Sequence, residues 1–195
     1  ACRQLATWKQ AHRAAAAALS MSVNISARQL STPDLVDRIK QIFIDTGVSA
    51  SSIILEITES VMIHNADAAI AVLEQLTALG VRFHMDDFGT GYSSLSWLHR
   101  LPLSGLKIDK SFVQLMGERA DYAAVVNGIV GMAKSLGMSL VAEGIETAAQ
   151  ATMLQRMACE KAQGYFFNRP MTSTDAAAYL LRATGANQTT NAAAA

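Results

Sequence analysis

The feature that most constrains this 195-residue chain is a repeated pattern: short apolar or β-branched runs, each bordered by a strongly polar residue, alternate with longer stretches of helical periodicity. The runs are Ser20–Ser26, Ser52–Glu59, Val81–Asp87, Gly105–Asp109, Ser139–Gly144 and Gln163–Phe167. Each reads as a strand. Between them, Leu35, Ile39, Ile42 and Phe43, then Ile70, Leu73, Leu76 and Leu79, then Val125, Val126, Ile129, Val130 and Ala133 recur at helical spacing. Gly47, Gly80 and Gly137 sit where a helix must stop, and Thr32-Pro33-Asp34 supplies a cap and a proline at a helix start. Nearly continuous apolar strands alternating with helices predict an α/β fold with a parallel sheet covered on both sides. Six βα units fit, after an opening helix.

The polar residues bordering the runs are Asn24; Glu56 and Glu59; Asp86 and Asp87; Lys107 and Asp109; Glu143 and Glu146; and Gln163 ahead of Gly164-Tyr165-Phe166-Phe167. In a parallel barrel or sheet the strand C-termini emerge on one face, where such folds bind ligands. An amide, several carboxylates and an ammonium therefore converge there. A lone acid at a strand end serves as readily as a turn former or helix cap. Asp86-Asp87 is different: neighbours on a strand face opposite ways, so one carboxylate enters the interior unless the strand stops, and a bound cation compensates it. Glu56 and Glu143, between apolar neighbours, are either functional acids or internal ion-pair partners of Lys107. Glu59 and Glu146, three residues further on, face the other way and suit loop support. Oxygen donors without matching His or Cys select Mg²⁺ or Mn²⁺ over zinc. His84 shares strand parity with Asp86 and is either packing or a support for the site, while His12, His64 and His99 share no register.

Sixteen Lys plus Arg balance sixteen Asp plus Glu, and the basic residues are scattered singly, which excludes bulk DNA or RNA binding. At 51% hydrophobic and 16% charged, the chain is built for a sizeable core. Cys2 and Cys159 form no disulfide or zinc pattern, so a cytoplasmic location is expected. No apolar run reaches the roughly 20 residues of a membrane helix. The chain opens on Ala1 in a helical pattern with no N-cap or signal peptide and reads as a piece of something longer. Residues 183–195 are polar, small and aperiodic, a tail expected to lack structure. Asp87-Phe88-Gly89 mimics a kinase motif without its companions, and Gly89-Thr90-Gly91 lacks the rest of a phosphate loop.

SVNISARQL, LEITES, DDFGTGYSSLSWL, LKIDKSFV, VAEGIET and AQGYFFNRP, in this order, resemble the motifs of EAL-domain cyclic-di-GMP phosphodiesterases. The resemblance implies a (β/α)8 TIM-type barrel occupying residues 1–182, in a bacterial signalling protein that hydrolyses cyclic di-GMP to linear pGpG with Mg²⁺ or Mn²⁺ at a two-metal site. It implies metal ligation by Asn24, Glu56 and Asp86, with Asp87 shared between the metals. It assigns Lys107 to the attacking water and metal site, Glu143 to general-base catalysis, and Arg28 and Gln163 to substrate contacts. Glu59, Glu146, Asp109 and Gln163 become supporting groups, with Glu59 anchoring the loop. Residues 88–94 match a loop that links the metal site to dimer contacts, so a homodimer is expected, with GGDEF or sensor domains upstream. The Glu-Ala-Leu strand that names the family is not in the sequence. The expectation is therefore an N-terminally truncated barrel, lacking its first strand and helix and with weak or no activity on its own. The competing reading is a non-catalytic module that binds cyclic di-GMP or a protein. The joint presence of Asp86, Asp87, Lys107 and Glu143 argues against it. An unrelated Mg²⁺-dependent barrel enzyme would need a different motif set.

Overall fold

Strands β1 (Met21–Asn24), β2 (Ile53–Thr58), β3 (Arg82–Phe88), β4 (Gly105–Ile108), β5 (Ser139–Ala142) and β6 (Lys161–Ala162) pair in parallel in chain order. They belong to a computed structural model that describes residues 1–62, 66–90 and 98–192. Helices α1 (Cys2–Ala11) and α2 (Arg13–Ala16) precede the sheet. Next come α3 (Ala27–Leu30) and α4 (Leu35–Thr46) after β1, and α5 (Ala66–Ala78) after β2. Helices α6 (Lys110–Leu115) and α7 (Ala120–Ser135) follow β4, α8 (Ala148–Arg156) follows β5, and α9 (Ser173–Ala192) closes the chain. Sequential parallel strands joined by helical crossovers are the topology of a TIM-type barrel, here a half-barrel of six strands.

Local chemistry explains the boundaries. Ser26 and Thr147 each form a capping box, with Gln29 and Gln150, and Asp109 caps α6 by accepting from the Ser111 N–H. Asp34 occupies the N-cap of α4 without a side-chain cap bond. Gly47 ends α4 in the left-handed region at φ 66°, a conformation that costs glycine nothing.

The strands are not apolar on both faces. Leu55, Ile57, Phe83, Met85, Leu106, Ile108, Leu140 and Ala142 alternate onto one face and form a core with Leu73 and Leu76 of α5 and Val126, Ile129, Val130 and Ala133 of α7. Full burial of each large side chain contributes about 1.5–3 kcal/mol, so this face carries the stability. The opposite, barrel-interior face carries Asn24, Glu56, Asp86 and Lys107. The expectation of a sheet apolar on both sides is thus corrected: the helices cover one face, and the other is polar.

The sixth strand also differs from expectation. It is Lys161–Ala162, so Gln163 follows a strand and does not open one. Residues 164–167 form a turn, where the Phe166 N–H donates to the Ile145 carbonyl and the Ile145 N–H donates to the Gln163 carbonyl. Tyr165, Phe166 and Phe167 are all exposed, so the aromatic run that imitates a buried strand buries little. A Cβ on Gly164 would overlap the Ile145 backbone. Gly164→Ala is therefore expected to cost about 3 kcal/mol in urea denaturation, because backbone cannot yield as a side-chain tip can. Residues 183–192, expected as part of an unstructured tail, continue α9 in spite of the low helix propensity of their Gly, Asn and Thr residues.

Candidate metal and catalytic site

Parallel register builds the site in layers. Asn24, Glu56, His84, Gly105 and Ser139 are successive partners across β1 to β5, forming one continuous row. Two residues further on, Asp86 and Lys107 stand on the same face of β3 and β4. Glu143 leaves the end of β5, where its N–H donates to the Ile108 carbonyl, and Gln163 leaves the end of β6.

Lys107 is the hub. Only 4% exposed, its Nζ lies 2.8 Å from Glu56 Oε2, 2.8 Å from Asp86 Oδ1 and 2.5 Å from Glu143 Oε1. The two readings of Glu56 and Glu143, ion-pair partner and functional acid, therefore fall on the same atoms. Burial alone would lower the Lys107 pKa, but the hydrogen bonds to Asp86, Glu143 and Glu56 raise it well above its ordinary value.

Asp86 and Asp87 do not face opposite ways as strand alternation predicts. The β3–β4 register slips between Met85 and Phe88, and Asp87 takes φ 52°, a left-handed backbone uncommon outside glycine. The bulge turns the second carboxylate to the side of the first, and oxygens of Asp86, Asp87 and Glu143 all lie within 4.8 Å of one another. Backbone strain at such a place is characteristic of functional sites. Asp87 is pushed above the usual carboxylate range by burial and by the charges of Asp86 and Asp109. Glu143 is also raised, by burial that outweighs its bonds to Lys107.

Around this cluster, Gln163 Nε2 donates to Glu143 Oε1 at 2.7 Å. Burial pushes Asp109 up, but the Ser111 hydroxyl and N–H hold it below the ordinary range. Glu59 Oε1 accepts from the Gly89 N–H at 3.4 Å, tying the start of the loop after Asp87 to the turn after β2. Glu146 Oε1 accepts from Gln114 Nε2 at 3.5 Å and lines a cleft of 440 Å³ with Lys110, Glu143, Gln163, Tyr165 and Arg169. Arg28 is not brought into the cluster: it lines a separate cleft of 670 Å³ between α3 and α5, with Val61, Ala69 and Val72. Residues 91–94 of the expected dimer loop, and His64, lie outside the described residues. Sequence reasoning missed Ser111 and Ser139; their only signal is a hydroxyl placed next to a charged strand end or on its parity.

Three carboxylates, Glu56, Asp86 and Glu143, pair with the Lys107 ammonium, and Asp87 and Asp109 interact with each other beside them. The donors are all oxygen, and burial, joined by the charges of neighbouring carboxylates, drives Asp87 and Glu143 toward protonation, so the residues present fit a hard divalent cation. Protons and cation compete for the same oxygens. Because the folded pKa values of Asp87 and Glu143 are raised, these groups favour the metal-free fold while protonated and cease to do so as pH rises through those values. The gain in melting temperature from saturating Mn²⁺ is thus expected to be larger at neutral pH and to shrink on acidification, as the cation comes to compete with protons.

Residues 1–170 match the family model of the EAL domain. The chain belongs to that family. This EAL domain is 43% identical over 171 residues to the bifunctional diguanylate cyclase/cyclic di-GMP phosphodiesterase MucR of Pseudomonas aeruginosa, a match covering 88% of this chain and 24% of that protein. The chain thus spans about a quarter of that relative's length. Its fold superimposes on the structure of the PaMucR phosphodiesterase in complex with c-di-GMP with TM-score 0.83 and 42% identity, covering 90% of this chain and 70% of that one. It also matches the manganese/cy-diGMP complex of Klebsiella pneumoniae BlrP1 with TM-score 0.78 and 28% identity, covering 88% and 43% of the two chains. No helix of the EAL domain among its described residues is long and apolar enough to cross a membrane.

Proposed function

We propose that this EAL domain hydrolyses cyclic di-GMP to linear pGpG. The observation that carries the reading is the convergence of Glu56, Asp86, Asp87 and Glu143 on Lys107 at the strand ends, a carboxylate excess that suits cations and, through them, an anionic dinucleotide. Names among its relatives point the same way: MucR is a cyclic di-GMP phosphodiesterase, and the BlrP1 complex contains manganese. Asn24, Glu56, Asp86 and Asp87 would hold Mg²⁺ or Mn²⁺. Bound there, the metal lowers the pKa of a water and offsets charge on the phosphodiester. Glu143, which burial holds above the ordinary carboxylate range, takes the proton from the attacking water. Gln163 holds Glu143 through the 2.7 Å bond, and Lys107 places its charge beside the same oxygens. Asp109 and Glu146 support this shell.

The loop after Asp87, anchored through Gly89 on Glu59, leads to a homodimer contact, and sedimentation velocity tests that. Both cysteines are free thiols, which suits the cytoplasm. The decisive assay incubates the chain with cyclic di-GMP and Mn²⁺ and resolves the products by chromatography. Slow growth of pGpG that EDTA stops is the expected result. Tight cyclic di-GMP binding without product would favour the non-catalytic module, and neither binding nor product would sink both readings.

A further inference from the structure

Three members of the row that begins with Asn24 and Glu56 have no part in the chemistry above. His84, Gly105 and Ser139 continue that row across β3, β4 and β5. His84 is 3% exposed. Ser139 Oγ lies 3.3 Å from His84 Nε2 and donates to the Ser104 carbonyl at 3.2 Å. A hydroxyl has one proton, so when Ser139 gives it to the Ser104 carbonyl its oxygen accepts from His84 Nε2–H. The contact with Ser139 holds the imidazole in one orientation.

Gly105 makes the room for it. A Cβ there would stand 2.7 Å from both Cδ2 and Nε2 of His84 and would overlap Ser139 Oγ, so this glycine is required by space. The ring therefore occupies the barrel interior directly beside Glu56 in the row and one layer beneath Asp86 and Lys107. Its electrostatic neighbours are Glu56 and Lys107 on the site side and Lys161 and Arg82 elsewhere in the interior.

We propose that His84 is a positioning residue for the divalent-cation site, an inference that rests on the reading of Glu56 and Asp86 as metal ligands. Held by Ser139 and seated over Gly105, the ring is a fixed floor against which the Glu56 carboxylate and the Lys107 stem are set. Glu56 then meets the cation in one geometry. An ordinary core histidine would fill the same volume without this consequence, and the two roles separate by experiment.

Mn²⁺ affinity is measured by titration calorimetry, and metal-free melting temperature by circular dichroism, for the wild type, His84→Leu, Ser139→Ala and His84→Gln. His84→Leu and Ser139→Ala are expected to weaken Mn²⁺ binding about tenfold or more, the usual effect of removing a support behind a metal ligand, without a matching fall in melting temperature. His84→Gln, whose amide can still donate to Ser139, is expected to recover most of the affinity. Wild-type affinity in His84→Leu overturns the positioning role, as does a loss of affinity that simply follows melting temperature across the variants. A wild type that binds no Mn²⁺ overturns the metal-site reading itself, and the positioning role falls with it.

Discussion

Lys107→Met is expected to destabilise the metal-free protein by about 3–5 kcal/mol in urea denaturation near neutral pH, the usual consequence of removing one partner from a buried charge group. Methionine keeps most of the stem and removes the ammonium, leaving Glu56, Asp86 and Glu143 facing one another with 9%, 15% and 16% of their side chains exposed. The sign with pH follows from the raised Lys107 pKa. A lysine so raised contributes stability that is complete below its unfolded value and is lost only as pH climbs through the folded one, so the wild type keeps the contribution throughout the neutral range. In the variant the carboxylates relieve their repulsion by taking up protons, so the deficit narrows on acidification. Mn²⁺ should stabilise Lys107→Met by more than it stabilises the wild type, because the cation supplies the charge that the lysine no longer does. Equal stability of the two metal-free proteins at neutral pH would show that Lys107 is not the counter-charge of the cluster.

That cluster was legible in the sequence as residue types and positions, and much less so as geometry. Asn24, Glu56, Lys107 and Glu143 could be placed because a parallel sheet delivers every strand end to one mouth, whatever the details of packing. The bulge at Asp86-Asp87 could not: alternation assigns the pair to opposite faces, and only the left-handed backbone at Asp87, a tertiary compromise, brings them together. Lys107 posed a choice between ion pair and chemistry that no spacing resolves, and the structure shows the ion pairs, on three carboxylate oxygens. The aromatic run Tyr165-Phe166-Phe167 imitates a strand because hydrophobicity alone does not say whether a side chain is buried, and the constraint that makes a turn there is the close approach of Gly164 to Ile145, nineteen residues earlier in the chain. Arg28, on α3, lines the cleft with Val61, Ala69 and Val72, a position that no strand-end pattern assigns. His84 carried one usable signal, its parity with Asp86, but its bond to Ser139 joins strands 55 residues apart and has no local signature.

Asp86→Asn is expected to weaken Mn²⁺ binding by at least about 100-fold and to bring cyclic-di-GMP hydrolysis to background, since even residues behind a metal ligand are worth about 10–100-fold in metal affinity. Asparagine has nearly the same shape and still offers an oxygen, so the loss measures charge and not space. The position is central because one carboxylate serves three partners: its Oδ1 accepts from Lys107 Nζ at 2.8 Å and from the Asp87 N–H at 3.1 Å, and its oxygens help form the triad with Asp87 and Glu143. Neutralising it removes one of the charges that raise Asp87, so the Asp87 carboxyl should fall back toward its ordinary range. Glu59→Gln provides the contrast. Its Oε1 accepts from the Gly89 backbone and lies outside the triad, and glutamine retains an acceptor there, so Mn²⁺ affinity should change by less than about threefold while the loop contact persists. Calorimetric titration of the two variants beside the wild type checks both expectations. Comparable losses in Asp86→Asn and Glu59→Gln would mean that the whole loop, and not the Asp86 charge, determines metal binding, and the assignment of Asp86 as a ligand would have to be abandoned.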